Sequence, residues 1–286
     1  MTRIPTARLA RHRGRTAVAT ATVVAALTGF VTLSGTAGAT ASASKTDRPR
    51  PTIVLEHGAF ADAAGWTGVI KRLTRAGYPV VAAANPLRGP ASDAAYLGSV
   101  LDRVEGSVVL VGHSYGGTVI SEAAVGREKK VKALVYVAAF LPDRGETSLG
   151  LSNKYPGSTL GDAVDAVPYV LPDGGQGQDL CIRPDKFRGQ FAADVSRDQA
   201  AIMAATQRPI AAAALEEPSV GAAWKRIPTW SLIATQDFNI PPAAQRFMSE
   251  RAHARTVEVK ASHAVAVSHP ASVARLVRQA ADATAR

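Results

Sequence analysis

Residues 108–117 read Val108-Val109-Leu110-Val111-Gly112-His113-Ser114-Tyr115-Gly116-Gly117. Four consecutive branched apolar residues predict a strand covered on both faces, and the stretch Gly117–Val125 behind them predicts a helix. Between the two lies the pattern G-x-S-x-G. A serine on a strand-to-helix turn must adopt a strained backbone so that its hydroxyl stands clear of the sheet. The flanking glycines lack a Cβ, which lets strand and helix close tightly around that turn. The helix start then offers N–H groups and a positive dipole end to a developing anion. The pattern predicts that Ser114 is a nucleophile.

Outward from this point the chain alternates short β-branched runs with amphipathic stretches, the signature of a parallel sheet between helices. Strands are expected at Thr52–Glu56, Val80–Ala83, Val108–Val111, Ala133–Ala138, Trp230–Ala234 and Thr256–Val259. Helices are expected around Trp66–Ala76, Ala91–Val104, Gly117–Val125, Pro242–Ala252 and Ala271–Ala283. The fold class is therefore α/β, with a mostly parallel six-stranded sheet flanked by helices and formed by residues 51–286. Residues 142–226 break the rhythm, and a structureless loop of that length inside a compact domain is improbable. They are expected to form an inserted cap, with a small hairpin around Tyr169 and Leu180 and two short helices, above the strand C-termini where such sheets bind ligands.

The chain has 286 residues, 47 % of them apolar, enough for a large core. Its net charge of +10 is concentrated at one end: Arg3, Arg8, Arg11, Arg13 and Arg15 precede the first acid, Asp47. Without residues 1–39 the excess of base falls from ten to five. The remaining cations are scattered and match no nucleic-acid-binding motif, so nucleic-acid binding is excluded. The arginine-rich start, the uncharged run from Thr16 to Ser44 and the small residues Ala37-Gly38-Ala39 read as a signal peptide over 1–39. Residues 40–50 read as a flexible leader. The expected location is outside the cell, by the general secretory route, with no stable membrane association after cleavage. Cys181 is the only cysteine, which excludes an intramolecular disulfide framework.

A serine hydroxyl is a weak nucleophile and needs a base and an orienting acid. His263, in Lys260-Ala-Ser-His263, follows the last strand, and Asp237 follows the strand before it. Their order after Ser114 is the one this strand–turn–helix motif uses. Asp143, just past the fourth strand, competes with Asp237 for the acid's role. His57, in Glu56-His57-Gly58-Ala59-Phe60, ends the first strand and is expected to be structural. The turn after it would bring the Ala59 N–H to face the serine, with the Tyr115 N–H as second donor to an oxyanion. His113 is expected to pack below the elbow, and His269 to cap a helix. No two histidines have metal-ligand spacing, so neither a metal nor another cofactor is expected.

Three landmarks, His57-Gly-Ala-Phe, Gly112-His-Ser-Tyr-Gly-Gly and Ser262-His263-Ala-Val, lie in an order that resembles the α/β-hydrolase superfamily from about Pro51 onward. Asn85-Pro86-Leu87, Ala133-Leu-Val-Tyr-Val-Ala-Ala-Phe and Gln207-Arg-Pro are similar to small bacterial carboxylesterases of the pyrethroid-hydrolase group, with plant methyl esterases and hydroxynitrile lyases beyond them. The resemblance implies Ser114, Asp237 and His263 as nucleophile, acid and base. It implies a six-stranded sheet lacking the two leading strands of larger members. Ala264 stands where the lyases carry lysine, which argues against lyase chemistry.

These readings converge on a secreted serine esterase acting on small-molecule carboxylic esters. Phe60, Phe140, Tyr169 and Phe187 are expected to line its substrate pocket, with the cap governing substrate choice and not chemistry. Cofactor-free perhydrolysis of the haloperoxidase type would use the same three residues. A non-enzymatic ligand-binding protein on this fold is the alternative of a different class.

Overall fold

The computed structural model describes residues 49–285. The expected signal peptide, 1–39, and all of the leader except Pro49 and Arg50 lie outside the described residues.

In chain order the first half forms β1 (Thr52–Glu56), α1 (Thr67–Arg75), β2 (Val80–Ala83), α2 (Pro90–Arg103), β3 (Val108–His113), α3 (Gly116–Ala123) and β4 (Val131–Val137). The insertion follows as α4 (Ser148–Ser152), β5 (Val164–Val170), β6 (Gln176–Ile182), α5 (Pro184–Phe191), α6 (Arg197–Thr206), β7 (Ile210–Ala211) and α7 (Ala212–Glu216). The chain then returns through β8 (Thr229–Ala234), α8 (Pro242–Arg251), β9 (Arg255–Val259), α9 (Val265–Ser268) and α10 (Pro270–Thr284).

Six strands form one sheet in the order β2-β1-β3-β4-β8-β9. Every neighbouring pair is parallel, so the sheet is wholly and not mostly parallel. The alternation of side chains along each strand divides the core in two. Ile53, Leu55, Val109, Val111 and Val135 face α1 and α10, packing with Val69, Leu73, Val273 and Val277. Val54, Leu110, Leu134 and Tyr136 face the other way, against Leu97 and Leu101 of α2, Val119 and Ile120 of α3 and Met248 of α8. This two-sided burial is why β3 reads as an unbroken apolar run, every residue of it buried.

The expected strands all form, with β3 running on through Gly112 and His113 and β4 beginning at Val131. The insertion carries the expected hairpin, β5 against β6, to which β7 adds a short third antiparallel strand. Helices α5 and α6 are the two short helices expected there, Ser196 capping α6 through the Gln199 amide. Parallel strands all end on the same side, so the turns after β1, β3, β8 and β9 are gathered at one edge of the sheet beneath the insertion.

Candidate active site

Ser114 sits between the end of β3 and the start of α3 with φ +53°, the left-handed region that costs a residue with a Cβ. The turn closes because its neighbours are glycines. A Cβ on Gly112 would lie 2.6 Å from the Gly116 carbonyl oxygen, and one on Gly116 would lie 2.6 Å from the Glu56 carbonyl oxygen. The Ser114 carbonyl accepts from Gly117 N at 2.9 Å and from Phe140 N at 3.2 Å, which pins the strained residue from two sides.

Asp237 and His263 leave the ends of β8 and β9, and both are buried. His263 Nδ1 lies 2.6 Å from Asp237 Oδ2. Three further N–H groups converge on that carboxylate: Asn239 N at 2.7 Å and Ile240 N at 3.0 Å on Oδ1, and Gln245 Nε2 at 2.8 Å on Oδ2. Four donors around one group suit an acceptor-only carboxylate, so Nδ1 carries the hydrogen and donates it. That leaves His263 Nε2 with its lone pair, buried and without a hydrogen bond among the described residues. No hydrogen bond joins Nε2 to the Ser114 hydroxyl in this arrangement.

Asp143, the competing acid, is placed elsewhere. Its Oδ1 accepts from Lys225 Nζ at 2.6 Å, and the lysine and the Arg144 amide hold its carboxyl below the usual range. It has no bond to an imidazole. His57 Nε2 accepts from Asn85 N at 3.0 Å, which leaves Nδ1 as the protonated nitrogen donating to Gly58 O at 2.9 Å. Asn85 Nδ2 closes the loop on the His57 carbonyl at 2.8 Å. The ring ties the end of β1 to the end of β2, and burial lowers its pKa.

Ala59 and Tyr115 flank Ser114 in one cavity. Neither backbone N–H has an acceptor among the described residues, although Phe60 N, next in the chain, is bonded to Arg208 O at 3.0 Å. The Tyr115 side chain is turned toward α2, its hydroxyl donating to Asp93 at 2.9 Å. The cavity is apolar and narrow, about 40 Å³, walled by Phe60, Phe140, Leu149, Leu160, Leu215 and Ile240. Tyr169 and Phe187, the two cap residues expected there, lie elsewhere. Tyr169 lies on β5 with the Arg88 guanidinium 5.5 Å above its ring, because β5 pairs on one side only and most of it faces solvent. Phe187 is fully buried and stacks on Phe191 at 5.1 Å, one turn along α5. No group of three or more His, Cys, Asp or Glu among the described residues is gathered as a metal site.

The sequence profile of the alpha/beta hydrolase family matches residues 53–276, which spans all the turns just described. The chain belongs to that family. A pyrethroid hydrolase of Sphingobium wenxiniae is 29 % identical over 260 residues, covering 82 % of this chain and 88 % of its own. The crystal structure of a pyrethroid hydrolase from Sphingobium faniae superposes with a TM-score of 0.66 at 25 % identity, over 82 % of this hydrolase and 98 % of that chain. Polyneuridine aldehyde esterase shares the fold at a TM-score of 0.71 and 20 % identity, over 80 % and 98 % of the two chains.

Three further residues contribute to the hydrolase's site: His113, expected to pack below the elbow, and Gly58 and Gln245, for which no role in it was expected. Gly58 is one: a Cβ there would lie 2.6 Å from Ser114 Cβ, so its absence lets the turn after β1 dock on the elbow. His113 is another. Its Nε2–H donates to the His263 carbonyl at 2.9 Å, its ring lies 4.7 Å from that of His263, and burial holds its pKa down to about 3. Gln245 is the third, on the carboxylate of Asp237. The glycine after a strand-end histidine was a readable signal. The bonds that His113 makes to the base loop and Gln245 to the acid show only once the fold closes.

Proposed function

We propose that this protein is a secreted serine carboxylesterase in which Ser114, His263 and Asp237 act as nucleophile, base and acid. The observation that carries the reading is the buried Asp237–His263 hydrogen bond, which leaves Nε2 unpartnered on a ring 4.7 Å from that of His113, the residue before the strained serine. As Ser114 Oγ attacks an ester carbonyl, Nε2 takes its proton, and Asp237 stabilises the imidazolium that forms. The N–H groups of Ala59 and Tyr115, lacking other acceptors, stabilise the tetrahedral oxyanion. Nε2 then returns the proton to the departing alcohol, and water repeats the sequence to release the acid. In the substrate complex the Ser114 hydroxyl must lie within hydrogen-bond reach of Nε2.

The cavity has no charged lining residue, which supports a neutral, apolar acyl group. Its volume is far below the roughly 300–1,000 Å³ of sites that enclose a drug-sized ligand. The closed form therefore suits a compact acyl group, and a bulkier ester needs the cap to shift. The relatedness to a pyrethroid hydrolase supports hydrolysis as the reaction. Residues 1–39 supply the export signal. Ser114→Ala should lower kcat on para-nitrophenyl acetate by at least about 10⁴-fold with the fold intact. Near-normal turnover by that folded variant overturns the assignment.

A further inference from the structure

The cap was expected to choose substrates and to stay out of the chemistry. Its hydrogen bonds reach further. At the end of α5, the segment Gln190–Asp194 touches the acid loop after β8 and the base loop after β9. Gln190 Nε2 donates to Asn239 Oδ1 at 2.7 Å and to Phe238 O at 2.8 Å. Asn239 is the residue whose own amide holds Asp237 Oδ1. Gln190 is fixed in turn by Thr159, whose hydroxyl donates to its Oε1 at 2.7 Å. On the other loop, Ala264 N donates to Phe191 O at 2.9 Å, and Ser262 Oγ donates to Asp194 Oδ1. These bonds bracket His263 from both sides along the chain. The Phe191 ring meets the imidazole edge-on, with centroids 4.9 Å apart. Asp194 Oδ2 also lies 3.5 Å from His269 Nδ1, at the start of α10.

Building on the triad reading above, we propose that Gln190 and Asp194 are positioning residues: the end of α5 clamps the acid loop to the base loop and sets the Asp237–His263 alignment. The reasoning is geometric. Asp237 and His263 sit on separate loops of a parallel sheet, and no pairing between the strand ends fixes the loops beyond Ala261. Within the core, Gln236 N to Ala261 O at 3.0 Å is the last backbone tie between them. The cap supplies the next ones, from residues within the single segment Gln190–Asp194. Displacing α5 would remove these bonds from both loops together, leaving the base loop on His113 and the acid loop on Gln245, Ser152 and Ser158. Full turnover therefore requires the cap to be seated, whatever the substrate.

The test uses the full chain with para-nitrophenyl acetate, a substrate small enough to touch little of the cap. Gln190→Ala and Asp194→Ala should each lower kcat by about 10- to 100-fold, the cost of a misplacement of about an ångström, with KM near its starting value. Asp194→Asn, which keeps an oxygen for Ser262, should recover most of the loss. The low-field proton resonance of the His263 Nδ1–H bond should weaken in the two alanine variants and return in Asp194→Asn. If Gln190→Ala fails to fold, Gln190→Met keeps the bulk without the donors and serves in its place. Folded variants with unchanged kcat and an unchanged resonance, beside an inactive Ser114→Ala, would overturn the clamp alone. An active Ser114→Ala would instead overturn the triad on which it rests.

Discussion

Asp237 and Asp143 both follow strand ends, and the surroundings of their carboxylates separate them. Asp237 is buried with four N–H donors, one of them His263 Nδ1. Asp143 is bonded to Lys225 near the surface. Asp237→Asn should cost roughly 10⁴-fold in kcat, because an amide in that place favours the wrong imidazole tautomer. Asp143→Asn removes one partly exposed ion pair, and exposed pairs contribute about 0–1 kcal/mol. Its kcat should stay close to the starting value, with at most a small fall in melting temperature. Parallel esterase assays and thermal melts of the two variants check both expectations, and the reverse order of effects would move the acid to Asp143. At this scale the sequence was most informative where chain position alone fixes a role. A serine in G-x-S-x-G, an aspartate past β8 and a histidine past β9 are placed by topology. Gln190, Gln245 and His113 take their roles from partners 49, 8 and 150 residues away, which no local pattern records.

Elements show the same division. The strands β1, β3, β4 and β8 were legible because burial on both faces leaves an apolar run. The edge strands β2 and β9 were legible because β-branched residues cluster in them, and the flanking helices because their apolar faces repeat. In the cap, α4 and α7 are five residues each and β7 is two. Elements that short carry too few residues for a period to show. This explains why the pocket was only half readable. Phe60 and Phe140 follow core strands and do line the cavity, whereas its cap wall comes from Leu149, Leu160 and Leu215, on or beside elements the sequence left unmarked. Leu215, on α7, is the wall residue to vary. Leu215→Ala should raise kcat/KM for butyrate and hexanoate para-nitrophenyl esters relative to acetate by about 1–3 kcal/mol, the range one pocket contact supplies. Measuring the three esters side by side tests this, and an unchanged ratio would remove Leu215 from the acyl wall. Phe187→Ala should leave the ratio alone. It should lower stability by about 3–5 kcal/mol, because it empties a fully buried position stacked on Phe191.

For the whole molecule, two buried histidines and a buried glutamate set opposing slopes of stability against pH. His113 stays neutral in the fold down to about pH 3, against an ordinary value of 6.5, chiefly through burial and then through the nearby His263. Between those two values the unfolded chain takes up a proton that the folded chain refuses, so stability falls as pH drops through that window, by up to about 1.4 kcal/mol per unit. His57, lowered in the same direction by burial, adds to the acid loss. Glu56 works the other way. It ends β1 beneath the elbow, buried, with neither carboxyl oxygen hydrogen-bonded among the described residues. Burial first, and then the charge of Asp93, raise its pKa well above the ordinary 4.5. The folded chain therefore keeps a proton that the unfolded chain has already lost above about 4.5, and stability falls as pH rises until the folded value is passed. Glu56→Gln keeps the shape of the protonated acid and removes its titration. Its melting temperature should match that of the starting protein near pH 4 and exceed it increasingly toward neutral and alkaline pH, as read from thermal melts across that range. A variant that instead lost stability at pH 8 would mean that Glu56 is held as a carboxylate by a partner, and that the turn below Ser114 is built around a charge.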